Sequence, residues 1–171
     1  MPIFSDNAPR IKVYASSHQT LTVHGSSAGT KIMQYNSTLF NNGPTGFYNY
    51  NSSSGYGTST NRPYSIQVGQ NGQYHIEASI LCNRTTTSGY LHCYIFSYNS
   101  EGTTQFSVLA NHDNDAGPGQ AGWSHKKGST ILSVPTNGIV QATWYMYANT
   151  CSTYVSHSGE SYCYLQVTHL T

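Results

Sequence analysis

Ile66-Gln67-Val68-Gly69-Gln70-Asn71-Gly72-Gln73-Tyr74-His75-Ile76-Glu77-Ala78 is the stretch on which the reading of this chain turns. Apolar residues alternate at Ile66 and Val68, and apolar or aromatic ones again at Tyr74, Ile76 and Ala78. A period of two puts each set on one face of an extended strand. Between them Gly69-Gln70-Asn71-Gly72 has the residue types that turns select. The stretch predicts a strand, a tight turn and a long buried strand.

The same period spreads outward in both directions. Ile11, Val13 and Ala15 alternate with Lys12 and Tyr14, and Leu21 and Val23 with Thr22 and His24. Longer strands are predicted over 72–82, 90–98, 139–148 and 161–170, rich in the Tyr, Val, Ile, Thr and Trp that pleated surfaces favour. Helical spacing is nearly absent. The expected fold is all-β, an antiparallel β-sandwich, in one domain over 1–171 with an N-terminal arm at 1–9 and long surface loops at 41–61 and 111–128.

Two strands have faces that both ask for cover. Over 90–98, Leu91, Cys93 and Ile95 form a core set, while Tyr90, His92, Tyr94, Phe96 and Tyr98 crowd the other face. Over 139–148, Val140, Ala142, Trp144 and Met146 oppose Ile139, Gln141, Thr143, Tyr145 and Tyr147. Two readings stand: a two-sided core under covering loops, or a subunit interface, where such rings are enriched. The interface reading names Tyr90, Tyr94, Phe96, Tyr98, Tyr145 and Tyr147.

Composition narrows the function classes. Only 8% of the 171 residues are charged, against about 25% in ordinary domains, so the surface is polar and neutral. Seven Lys and Arg and a net charge of +1 leave no basic patch for nucleic acid or anionic membranes. No stretch has the roughly 18 apolar residues of a membrane helix, and Met1-Pro2-Ile3-Phe4-Ser5-Asp6 lacks the features of a signal peptide. Neutral polar ligands, glycans above all, suit such a chain.

Cys82, Cys93, Cys151 and Cys163 are too dispersed for a disulfide scaffold and lack zinc-ligand spacing. They read as buried thiols in strands. The eight histidines stand singly; His75, His92 and His169, each on a strand, are the ones a trimer axis would turn into a three-nitrogen site. No cofactor is expected. Asp113 and Asp115 are the weak metal candidates, calcium being the ion for such oxygen ligands, and a solvated turn is the simpler account of them.

Catalysis finds no parts. The acids are Asp6, Glu77, Glu101, Asp113, Asp115 and Glu160, none paired in an apolar setting that would separate two pKa values. Nucleophile elbow, phosphate loop, dinucleotide fingerprint and His-Glu-x-x-His are all missing. The chain reads as a non-enzyme.

Binding has two mixtures of rings and amides, the combination that stacks on sugar faces and bonds their hydroxyls. One is Tyr48, Tyr50 and Tyr56, with Phe47, Asn49 and Asn51. The other is Asp113, Asn114, Asp115, Trp123 and His125. Trp123 ranks first because its Gly-rich setting offers few neighbours to bury it.

The middle stretch also carries a resemblance. An aromatic, five residues, then Gly-x-Tyr-x-aromatic-x-aromatic is the pattern of the complement C1q globular head, related in fold to tumour necrosis factor. Here it reads Ile66, Gly72, Tyr74, Ile76 and Ala78, with aliphatic residues at the aromatic positions. Pro9-Arg10-Ile11-Lys12-Val13-Tyr14-Ala15 is similar to that family's first strand and 162–170 to its last, so the resemblance spans nearly the whole chain. It implies a ten-strand jelly roll assembled as a homotrimer, with loops at one end presented to ligand. Gly72 would serve the turn, and Tyr74 would bury its ring while its hydroxyl finds a partner. The family's calcium Asp is replaced in the turn Pro135-Thr136-Asn137-Gly138.

Three functions fit these readings. The first is a trimeric recognition head binding a cell-surface glycan or protein receptor, as at the tip of a phage tail fibre or viral spike, which places it on a virion. The second is an extracellular C1q-like lectin or immune-type module, for which Asn36-Ser37-Thr38, Asn51-Ser52-Ser53 and Asn83-Arg84-Thr85 would be glycosylation sites. The third is a structural trimerisation or capsid-decoration domain.

Overall fold

The stretch 66–78 runs from one sheet into another. The structure, a computed structural model, describes residues 8–17, 19–22, 28–52, 62–84, 91–101, 103–113, 122–147, 150–153 and 162–170. Among these residues are thirteen strands and no helix. They are β1 (Arg10–Tyr14), β2 (Thr20–Thr22), β3 (Ala28–Lys31), β4 (Ser37–Asn41), β5 (Tyr48–Asn51), β6 (Ser65–Val68), β7 (Gly72–Arg84), β8 (Leu91–Tyr98), β9 (Thr104–Asp113), β10 (Gly122–Val134), β11 (Ile139–Tyr147), β12 (Thr150–Thr153) and β13 (Tyr164–His169).

Seven strands form one sheet, in the order β2-β12-β7-β13-β1-β4 with β10 also on β7. We call it sheet A. Six form sheet B, in the order β5-β6-β11-β8-β9 with β3 also on β11. All the pairings are antiparallel. β6 belongs to sheet B and β7 to sheet A, so the turn at 69–71 crosses the sandwich and does not close a hairpin. Gly72 opens β7 opposite Val134, and Gly46 is the described glycine with positive φ. The turn conformation expected of Gly72 is therefore not the one it adopts.

The ten strands implied by the resemblance become thirteen because long strands have neighbours that come in pieces. β12 faces Cys82–Arg84 and β13 faces Tyr74–Ser79 along one flank of β7. In the same way β6 and β3 share one flank of β11.

The core lies between the sheets. Tyr74, Ile76, Ala78 and Ile80 of β7 are fully buried, as are Leu165 and Val167 of β13 and Ile11 and Val13 of β1. Opposite them lie Ile66, Val68, Cys93, Ile95, Val140, Ala142 and Trp144 of sheet B. Each large side chain buried this way contributes about 1.5–3 kcal/mol relative to exposure. The Tyr74 hydroxyl donates to the Gln70 carbonyl at 2.7 Å, so the ring enters the core without an orphaned polar group.

Two regions expected as loops contain strand among the described residues. Within 41–61, β5 forms, and Phe47 and Tyr48 enter the core. Within 111–128, β9 extends to Asp113 and β10 begins at Gly122. Neither announces itself, since β10 is hydrogen-bonded to β7 alone among the described residues and its polar positions have a solvated side to face. Lys126 and Lys127 on that edge are the charges that discourage pairing with another chain.

The turn Pro135-Thr136-Asn137-Gly138 returns β10 to β11. Asn137 takes a left-handed φ of 59°, and the Gly138 N–H donates to the Pro135 carbonyl at 2.8 Å. A Cβ on Gly138 would stand 2.7 Å from that oxygen and from Val134 Cγ1, so the turn accepts only glycine there.

Candidate functional site

The first predicted ligand set divides. Tyr48 is a core residue with 6% of its surface exposed; its hydroxyl donates to the Pro9 carbonyl at 2.7 Å. Its ring meets Phe47 at 4.8 Å and Tyr74 at 6.5 Å. Burial, followed by the neighbouring Tyr74, pushes its hydroxyl pKa up. Alternation failed to show this because Tyr48 sits where a Gly-rich and Asn-rich segment first joins sheet B. Tyr50 is half-buried at the sheet edge, and its pKa is raised by burial and by Tyr64. Tyr56 lies outside the described residues.

The second set is rearranged. Asp113 ends β9 opposite Leu91, while Asn114 and Asp115 lie outside the described residues. Trp123 and His125 are on a strand, two residues apart in β10. Leu132 and Val134 point into the core, so alternation assigns His125, an odd number of residues away from them, to the outward face of sheet A. Among the described residues no three His, Cys, Asp or Glu side chains gather as metal ligands.

His125 brings together residues that the sequence left apart. Its Nε2 lies 2.8 Å from Ser79 Oγ on β7, and that hydroxyl donates to the Tyr162 carbonyl at 2.8 Å. The one Ser79 proton is thus committed, and His125 Nε2–H is the donor of the pair. The His125 ring meets Tyr162 edge-on at 5.4 Å. Tyr162 is 43% exposed, among the most open large side chains described. Partial desolvation, then the Lys127 ammonium, hold the imidazole below its ordinary pKa, which favours the neutral ring at neutral pH.

Beside this pair stands Tyr164, the centre of a four-strand constellation. Its hydroxyl donates to Glu77 Oε1 on β7. Lys12 of β1 places its Nζ 3.8 Å from the Tyr164 ring centre, and Lys127 of β10 lies 5.7 Å from it. Lys127 Nζ is also 4.0 Å from Glu77 Oε1. Burial, then the hydrogen bond to Glu77 and its charge, push the Tyr164 hydroxyl pKa well up. Register explains the convergence: Lys127 faces Ser79, which faces Tyr164, and Glu77 faces Gln166, which faces Lys12. Nothing in the sequence marks Tyr162, Tyr164, Ser79, Lys12 and Lys127 as belonging together. Alternation puts each on an outward face, but strand pairing alone makes them neighbours.

The rings expected at a subunit interface lie on the outward face of sheet B. Tyr94, Phe96 and Tyr145 are half-buried, with Tyr94 meeting Tyr145 at 6.2 Å and Phe96 at 6.4 Å. Tyr98 is nearly covered, stacked on Phe96 at 5.9 Å under the Arg62 guanidinium. Burial raises its pKa against the opposing pull of Arg62. Gln141 and Thr143 between these rings are buried too. Tyr90 lies outside the described residues, and Tyr147 is placed by its backbone, opposite Ala28.

The three strand histidines occupy separate places. His75 is opposite Thr168 in sheet A, His92 is on the outward face of sheet B, and His169 packs against Phe47 and Tyr74. Cys93 and Cys163 are buried, with the Cys163 Sγ 3.8 Å from the Leu81 carbonyl; the side chains of Cys82 and Cys151 lie outside the described set.

No protein-family model and no curated protein matches this sequence. Solved structures do share its fold. That of murine APRIL at pH 5.0 aligns with 95% of this chain and 99% of its own, with a TM-score of 0.56 and 9% identity. That of Eiger TNF from S. frugiperda aligns with 96% of this chain and 94% of its own, with a TM-score of 0.57 and 8% identity. The chain is a tumour necrosis factor-like jelly roll, the architecture that the Gly-x-Tyr stretch implied.

Proposed function

We propose that this chain is a recognition head: a homotrimer that binds a cell-surface receptor, with a glycan as the ligand, outside the cell or on a virion. The observation that supports it most is the outward face of sheet A. There Tyr162 and His125 present ring surface beside the charged groups of Glu77 and Lys127. Apolar ring area with a few placed polar groups is the make-up of small-ligand sites. Trp123, whose backbone lies opposite Asn83 in β10, stays in the proposed ligand set. Among the described residues no helix is long and apolar enough to cross a membrane.

Self-association is assigned to the opposite sheet. Tyr94, Phe96 and Tyr145 keep ring area uncovered in the single chain, and aromatic residues concentrate where subunits meet. Sedimentation equilibrium tests this assignment: a trimer is expected, and a Tyr94→Ser, Tyr145→Ser double variant dissociates it. A glycan array tests the recognition reading, with Trp123→Ala and Tyr162→Ala losing the signal. Silence across the array and on host cells would favour a purely structural trimerisation domain.

A further inference from the structure

The His125 imidazole is held in one protonation pattern by its neighbours. Ser79 has a single hydroxyl proton, and the Tyr162 carbonyl takes it at 2.8 Å. The Ser79 oxygen can then only accept, so its 2.8 Å contact with His125 fixes the ring proton on Nε2 and the lone pair on Nδ1. The two nitrogens lie on opposite edges of the imidazole, so Nδ1 turns away from the buried Ser79 on a side chain that is exposed. Beside it stands the Tyr162 ring, edge-on at 5.4 Å and open to solvent. The outward face of sheet A therefore offers a fixed acceptor next to an apolar ring.

The charges around this acceptor narrow what can donate to it. Lys127 follows two residues later on the same face of β10; Glu77 of β7, Tyr164 of β13 and Lys12 of β1 form the network to which it belongs. Desolvation and then Lys127 favour the neutral imidazole, and the same ammonium repels a cationic donor. A hydroxyl donates or accepts as a site requires, and gains nothing from a fixed tautomer. An amide N–H only donates, and it needs a lone pair kept open for it.

We infer that the ligand of this face carries an acetamido group, as an N-acetylhexosamine does, with its N–H donating to His125 Nδ1 and its methyl resting on the Tyr162 ring. This rests on the recognition reading above and names the class of sugar that the same face selects. Ser79 is a positioning residue, acting on the ligand only through the tautomer of His125. Protonating Nδ1 removes the acceptor, so acid weakens the contact.

Titration calorimetry on the full chain near neutral pH tests it, with the methyl glycosides of N-acetylglucosamine and N-acetylgalactosamine set against those of glucose and galactose. At least one acetamido probe should bind about fivefold or more tighter than its plain hexose, the effect of a single hydrogen bond. His125→Phe, which keeps a ring beside Tyr162 and deletes both nitrogens, should remove that advantage. Ser79→Ala should reduce it. Nitrogen NMR of the imidazole should report Nε2–H in the native chain and mixed tautomers in Ser79→Ala, a signature that lost packing alone would not give. Toward about pH 5, below the ordinary His value, the advantage should shrink in the native chain. His125→Phe keeps Glu77, Lys127 and Tyr164, so its affinities should stay level over the same range. Thermal melts of both variants establish that the sandwich is intact.

Equal binding of the plain hexoses, an advantage that survives in His125→Phe or in acid, or an Nδ1–H tautomer in the native chain overturns the acetamido inference and leaves the recognition reading standing. Silence of all four probes with other hits on the array does the same. An array without any hit removes the recognition reading and the inference together.

Discussion

Gly138 and His125 show how single residues answer to their surroundings. At Gly138 the backbone of Pro135 and the side chain of Val134 occupy the space where a Cβ would go. Gly138→Ala is expected to cost about 1–3 kcal/mol, read as a lower urea midpoint with an unchanged slope. The His125 imidazole is held below its ordinary pKa by desolvation and Lys127, so the folded chain binds fewer protons than the unfolded one just below pH ~6.5. Stability should therefore fall as pH drops from that value through the folded pKa, then level off. The effect is modest because the ring is exposed, and comparing melts of the native chain and His125→Gln across pH 5–7 isolates it. A steeper acid loss in His125→Gln than in the native chain would contradict the sign.

At the scale of elements, β7 is the strand on which sheet A is built. It pairs with β10 along one flank and with β12 and β13 along the other, and its core residues are wholly buried. Ile76→Ala should cost about 2–5 kcal/mol, against at most about 0.5 kcal/mol for Ile131→Ser. Ile131 lies on the outward face of β10 and is 49% exposed. Chemical denaturation of the two variants side by side measures the contrast. β7 was legible in the sequence because its alternation is uninterrupted over Tyr74, Ile76, Ala78 and Ile80. β10 was not, because Gly122, Gly128, Lys126 and Lys127 dilute its pattern, and an edge strand needs apolar residues on one side only.

For the whole molecule, the many buried phenols set a response to alkali. Burial pushes the pKa of Tyr35, Tyr48, Tyr50 and Tyr164 upward; that of Tyr74 is raised to about 12, as is that of the Cys93 thiol. In each case the folded state keeps a proton that the unfolded state releases. Their contribution is intact below the unfolded values of about 8.5 for Cys and 10 for Tyr, and is lost as pH rises toward the folded ones. The sandwich should accordingly unfold cooperatively in alkali, with the near-ultraviolet absorbance of phenolate appearing together with loss of the far-ultraviolet β signal. Phenolate appearing first with the fold intact would show that the rings are open to solvent.

The strands with uninterrupted alternation, β7 foremost, were determined by the sequence alone, since a period of two is a local property and needs no knowledge of neighbours. Ile66, Tyr74, Ile76 and Cys93 occupy the buried faces that their alternation marked. Tertiary structure decided what those strands lie beside. It carried Tyr48 from a supposed binding loop into the core, moved Trp123 and His125 from a loop to a strand, and set Lys12, Glu77 and Lys127 around Tyr164. The physical reason is that alternation divides a strand into two faces, while pairing register, a property of strands far apart in the chain, chooses the companions on each face.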